Sequence, residues 1–423
     1  MNKIIFAHGF FVSLHKRIFL RLATVFMFAI SVALPAYAQS PDYGYIPVID
    51  NPEAKPLPIV MFDRSHNNFH NVERSYSTFR DILTADGYNV REISGTFDDS
   101  VTNGATPFQV VRRQQATSAS KLALTSNILV IANACPTPCG ASDQAFSAAE
   151  VNVIREWVGQ GGSLFLIFDH PPFSQVQNLA NAFGVDMVTE GGVVSNDASA
   201  FNFDTTTQLD GALAARSAIV SGRVPTETVG YVRTFYGSGF FIVPPNPATT
   251  YPISYEPIMT FGKNATVVST WPTKSAAGMF QGMAIHYGAG RVYVSGEAAM
   301  FTAQFSIPPA TFGLQIPEAA YNTRFLRNII HWLDGRMAAI AGRVTLSDGS
   351  GLSAVNITVA TADNRVYTTM TDSNGWYISP REITRGGAYY VQAYKKDYTL
   401  TSLNRYITLG DQPVTVNFAA SRR

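Results

Sequence analysis

Residues 157–173 read WVGQGGSLFLIFDHPPF. The apolar run Ser163 to Phe168 is too short for a helix and lacks the polar alternation of a half-exposed strand, so it reads as a strand buried on both faces. Upstream, Ser147-Ala-Ala-Glu150 is a capping box that opens a helix through Val151, Ile154 and Val158, and Gly161-Gly162 closes it. Downstream, Asp169-His170 leaves polar groups at the strand's carboxyl end, and a second helix from Val176 to Phe183 stops at Gly184. Helix, strand, helix at this spacing is the unit of a parallel sheet.

The same grammar extends in both directions. Pro58 to Phe62 ends at Asp63, and the helix behind it aligns Tyr76, Phe79 and Leu83 before Gly87. Tyr88 to Ile93 and Asn127 to Ala132 are further strands, as are Gly282 to Tyr287 and Arg291 to Ser295, and a last helix spans Tyr321 to Leu333. About 90 residues after Gly184 are rich in Thr, Tyr, Phe and Gly and suggest antiparallel additions, with Gly237-Ser-Gly239 as a hairpin turn. The expected fold is α/β, a flavodoxin-like, mostly parallel sheet over residues 57–335 with helices on both faces. Residues 340–423 change texture to short strands split by Asp348-Gly349, Asp363-Asn364, Asn374-Gly375 and Gly386-Gly387, which implies a C-terminal all-β sandwich.

The chain has 423 residues, 46% hydrophobic and 14% charged. That composition excludes disorder. Residues 1–38 read as an export signal, with Lys3, Lys16, Arg17 and Arg21 before an apolar run and Ala36-Tyr37-Ala38 as the cleavage pattern. Removing those four basic residues leaves 27 against 30 acidic ones, a formal −3. A nucleic-acid partner thus has no electrostatic motive. No later run is long enough to span a membrane. The expectation is an exported protein, periplasmic or extracellular, with residues 39–56 as an extended arm. Export places Cys135 and Cys139 in an oxidising compartment, where a local disulfide is expected.

In open α/β sheets ligands bind beyond the carboxyl ends of the strands. Asp63, His66, Asp169, His170 and Glu297 all take such positions, and together they could grip a polyol, activate a water or hold a divalent ion. Asp169, His170 and Glu297 are the catalytic candidates. The competing reading is that each caps a helix or ties down a loop. His70-Asn-Val-Glu73 has a zinc-ligand spacing, but Glu73 fits a helix dipole as well. No cofactor and no metal site is expected: phosphate-binding glycine loops and the G-x-S-x-G elbow are absent. His331 reads as a core-edge or capping group, and His286 as structural.

The text FDRSHNNFHN (62–71), ILVIANA (128–134), WVGQGGSLFLIFDHPPF (157–173), GAGRVYVSGEAAMFTAQ (288–304) and NTRFLRNIIHWLDG (322–335) resembles the class I glutamine amidotransferase-like superfamily, in a branch of exported bacterial proteins. The catalytic members carry a Cys on the turn that here reads Asp169-His170-Pro171-Pro172. The resemblance therefore implies a ligand-binding relative, with sugars a frequent suggestion. GRVTLSDGSGLSAVNITV (342–359) and TTMTDSNGWYIS (368–379) resemble the carboxypeptidase regulatory-like, transthyretin-type domain, which implies a spacing or attaching module with Tyr377 packed between its sheets. The favoured function is a non-amidotransferase protein holding a small polar or carbohydrate ligand. A hydrolase, metal-assisted or not, and a scaffold are the alternatives.

Overall fold

The computed structural model describes residues 40–49, 58–93, 97, 128–139, 143–171, 173, 175–195, 200–208, 210–268, 273–306, 310–401 and 406–423. The expected export signal, the ends of the arm and Asn127 lie outside them.

Five strands pair in parallel: β1 (Ile59–Asp63), β2 (Asn89–Ile93), β3 (Ile128–Ala132), β4 (Ser163–Ile167) and β6 (Gly290–Ser295), in the spatial order β2-β1-β3-β4-β6. The antiparallel β5 (Phe280–Tyr287) pairs with β6. Beyond it the sheet continues through Ile253–Phe261, Gly211–Leu213, Ala200–Asp204 and Tyr231–Phe235. The twelve-stranded sheet is therefore mixed, which corrects the expectation of a mostly parallel one. The reason is local: among the described residues the Thr- and Tyr-rich insertion holds only the one-turn α-helix Ala218–Ser221 and no long crossover helix, and all but one of its pairings are antiparallel.

Side chains of the central strands alternate between two cores. Val60, Phe62, Ile128, Val130, Phe165 and Ile167 face α1 (Ser77–Ala85) and α4 (Asn322–Leu333). Met61, Leu129, Ile131, Leu164 and Leu166 face α2 (Ala148–Gly159) and α3 (Gln177–Ala182). The period of two feeds both layers, and helices of period 3.6 close each with one apolar stripe. The capping box of α2 forms as expected: Ser147 Oγ accepts from Glu150 N–H, and the Glu150 carboxylate accepts from Ser147 N–H.

The Gly237-Ser-Gly239 segment is not a hairpin. The flanking strands pair elsewhere, and Ser238 N–H donates to Gly296 O at 2.5 Å. A Cβ on Gly237 would lie 2.5 Å from Gln281 Nε2, Glu297 Cβ and Gly296 O. The glycine marks a close backbone approach, not a turn.

Residues Ser40–Pro41 of the arm pair with Ala303–Ser306. The C-terminal region forms two sheets, one built on Ile340–Leu346 and the other on Asn356–Thr361, closed over a common core. Tyr377 lies in that core, its hydroxyl donating to Val416 O at 2.6 Å. Among the described residues no helix is long and apolar enough to cross a membrane.

Gly290, at the start of β6, has no room for a side chain: an added Cβ would sit 2.1 Å from Val158 O and 2.2 Å from Gly162 O, both backbone. Gly290→Ala is expected to cost about 3 kcal/mol, read as a lowered midpoint in urea unfolding.

Candidate functional site

The five residues singled out at strand ends divide into two groups. Asp63 closes β1 and is buried, as is His66 three residues on. His66 Nδ1 donates to Asp63 Oδ2 at 2.9 Å, and its Nε2 donates to Glu150 Oε1 at 3.0 Å. The ring packs against Phe146 and stacks on Phe97, with centroids 4.0 and 5.4 Å away. Burial alone would depress the imidazole pKa, but the two carboxylates overcome it and raise it to about 9. Burial likewise disfavours the Glu150 carboxylate, yet His66 and the N–H groups of Ser147 and Phe97 hold its pKa down to about 2. At neutral pH His66 is an imidazolium with both N–H groups committed. Asp63 and His66 are thus engaged with each other and with Glu150, and their site is a brace between β1 and α2. Cys135 N–H donates to His66 O at 2.9 Å, and the Cys135–Cys139 disulfide forms beside it. Both cysteines of the chain are in that bond. No thiol remains to act as a nucleophile.

The second group is Asp169, His170 and Glu297. Asp169, two residues beyond β4, accepts His170 N–H at 2.7 Å and Ala298 N–H at 3.3 Å. Glu297, fully buried just past β6, accepts Ala299 and Met300 N–H, each at 2.8 Å. The two carboxyl groups therefore grip one short turn from two strands. Burial raises the pKa of Asp169 to about 6, against the pull of His170 and the two backbone N–H groups. Burial, then the charge of Asp169, raises Glu297 well above the usual carboxylate range. One proton on the pair relieves the repulsion at neutral pH.

His170 is half-buried, and its Nδ1 lies 2.8 Å from Pro171 O. That contact makes Nδ1 an N–H donor, and Nε2 lies 3.8 Å from Asp169 Oδ1. Its ring lies 4.7 Å from Tyr236 and 6.5 Å from Phe173, which in turn lies 4.9 Å from Phe69. All four rings are half-buried. Beneath them, His70 is buried and stacks on Tyr76 at 4.9 Å, and burial lowers its pKa to about 3.

Asn133, missed at the sequence level, follows directly on the last residue of β3. It has φ +46°, and neither side-chain amide atom has a hydrogen-bond partner although the residue is 1% exposed. Its strand-end position was the usable signal, overlooked because amides do not titrate. Tyr236 has φ +59°, a left-handed conformation rare for an aromatic residue, held beside Gly192, where a Cβ would lie 2.6 Å from the ring.

The remaining candidates are structural. His70 points inward while Glu73 pairs with Arg64 at 3.1 Å on the surface, so the zinc-like spacing joins nothing. Among the described residues no group of three His, Cys, Asp or Glu side chains converges on a metal position. His331 is fully buried, bridging Asp86 Oδ2 at 2.8 Å and Arg223 Nη2 at 3.3 Å. His286 packs edge-on against Trp332 at 5.3 Å.

The His66 brace sets a pH window. A folded pKa above the unfolded one gives stability that is complete below about pH 6.5 and is lost as pH rises through about 9. Wild-type thermal stability is expected to fall between pH 7 and 10. His66→Leu, which leaves the buried Asp63 and Glu150 carboxylates without the cation between them, should cost about 3 kcal/mol at pH 7 and flatten that slope, as measured by denaturation at each pH.

No family model and no curated protein matches the chain. Solved structures do. The mmIFT52 N-terminal domain is 13% identical at a TM-score of 0.41, over 65% of this chain and 97% of its own. A ThuA-like protein from Bacteroides uniformis is 8% identical at 0.36, over 69% and 95%. One from Parabacteroides merdae is 13% identical at 0.34, over 66% and 90%. The ThuA-like neighbours have a class I glutamine amidotransferase-like fold. At these TM-scores the likeness specifies neither activity nor ligand.

Proposed function

We propose that the protein is an exported, non-amidotransferase binding protein whose α/β region holds a small polar or carbohydrate ligand at the carboxyl ends of β1, β3, β4 and β6. The observation that carries this reading is the pairing of half-buried rings, His170, Phe69, Phe173 and Tyr236, with the buried carboxyl groups of Asp169 and Glu297. Rings offer apolar faces to the C–H surface of a sugar, and carboxylate and imidazole offer acceptors to its hydroxyls. The parallel order β2-β1-β3-β4-β6 is compatible with a flavodoxin-like core, in which such a crevice is the usual ligand position. In this reading residues 340–423 are a carboxypeptidase regulatory-like module, and residues 1–38 direct export.

A hydrolase reading draws on a different observation: Asp169, at a pKa of about 6 and 3.8 Å from the His170 imidazole, is suited to move a proton near neutral pH. Calorimetry with a panel of sugars and polyols, run beside ester and glycoside turnover assays, separates the two. Binding without turnover is expected. Tyr236→Ala should weaken it about tenfold. Binding should also change through about pH 6 in the wild type, and Asp169→Asn should remove that inflection. If neither substitution alters binding, the crevice is not the site. Turnover abolished by Asp169→Asn would establish the hydrolase instead.

A further inference from the structure

The outer face of the four-stranded sheet in the C-terminal sandwich carries exposed apolar side chains in ordered rows. Its strands run in the order Val366–Met370, Asn356–Thr361, Ala388–Tyr394, Tyr406–Thr408, and alternate residues, among them Ile357, Val359, Val391 and Ile407, enter the core. The register places the outward residues in bands across the sheet. Val366, Ala360, Tyr390 and Tyr406 form one band; Met370, Asn356 and Tyr394 form another. Between them lies a polar band of Thr368, Thr358 and Gln392. The outward positions carry only Val, Ala, Met, Tyr, Thr, Asn and Gln, with no charge.

The apolar members stand in solvent: Tyr406 is 82% exposed, Tyr394 65%, Met370 64% and Val366 60%. Tyr390 and Tyr406 lie 5.9 Å apart, and Gln392 Nε2 donates to the Tyr390 hydroxyl at 2.9 Å. Tyr394 is four residues along the strand from Tyr390, roughly 13 Å at the usual strand rise.

We infer that this face binds a neutral polysaccharide chain, with Tyr390, Tyr394 and Tyr406 as ring platforms. Charge and polarity select the occupant. A face without charge offers nothing to an anionic polymer or a membrane headgroup. A protein partner of ordinary kind needs a contiguous apolar centre, whereas here the polar band of Thr and Gln divides the apolar positions. Alternating apolar and hydroxyl-bonding bands match a pyranose chain, whose sugar rings present C–H faces and whose edges present hydroxyls. The sandwich then acts as an attachment module, whatever the crevice of the α/β region holds.

The test is depletion of the full chain from solution by insoluble cellulose, xylan, chitin and starch, with polygalacturonate as the anionic control. Retention by at least one neutral polymer is expected, with none on polygalacturonate. Tyr394→Ala and Tyr406→Ala alter only exposed rings, and each should weaken retention about tenfold, about 1.4 kcal/mol. Tyr43→Ala, an exposed ring outside both regions, should leave retention unchanged. Failure of every neutral polymer to retain the chain overturns the inference, as does retention indifferent to both substitutions. Sedimentation supplies one more outcome against it: a concentration-dependent dimer dissolved by Tyr406→Ala assigns the face to a second copy of the chain.

Discussion

A sheet covered on both faces leaves a charged group nowhere to go except the ends of its strands. The central strands send alternate side chains into two dry cores, and no ionisable residue interrupts β3 or β4. Asp63, Asp169 and Glu297 all lie at or just past the carboxyl end of a strand, and all are buried there. Burying a carboxylate requires compensation. The structure meets that requirement in two ways. At β1 the compensation is a cation: His66 is protonated between Asp63 and Glu150, and the result is inert because every donor is spent. At β4 and β6 the compensation is backbone N–H groups and a shared proton, so Asp169 keeps the capacity to change charge near neutral pH. The same constraint thus yields a fastening in one place and a responsive group in another.

The central strands and helices were legible to within a residue or two, because their apolar periods are strong and their ends carry capping signals. Ser147 and Glu150 were read correctly as a capping box. The second role of Glu150 was invisible, because His66 lies 84 residues away and no local pattern links them. The insertion was legible only as strand-rich. Its pairing partners depend on contacts across the sheet, and Gly237-Ser-Gly239 shows how this misleads: Gly237, which makes room for Gln281 and Glu297, looks in text like part of a turn.

Grouping five strand-end residues into one crevice assumed that neighbouring strands share their ligands. Strand order bears on this directly. β1 and β4 are separated by β3, while β4 and β6 are adjacent, so Asp169 meets the Glu297 turn and Asp63 does not. Asn133, directly after the intervening strand, is a residue that ionisable-group reasoning skips. Its orphaned amide and left-handed backbone are the kind of local cost that a fold sustains where the surroundings over-determine it.

The position of the sandwich limits what it can do for that crevice. Arg381 pairs with Asp334 at the end of α4 at 2.5 Å, while Arg385 and Arg291 converge on Asp411 at 3.0 and 3.2 Å. Arg336 donates to Ser379 O at 3.1 Å. Tyr88, just before β2, donates to Asp334 at 3.2 Å, and Arg291 lies at the start of β6. These attachments are at the amino ends of the strands, opposite Asp169 and Glu297. The sandwich therefore does not cover the carboxyl ends of these strands. It is fixed to the far end of the sheet by partly buried ion pairs, so a polymer bound to the Tyr390 face and a small ligand bound near Asp169 would not compete for space. A module so placed leaves the carboxyl ends of these strands uncovered by the C-terminal sheets.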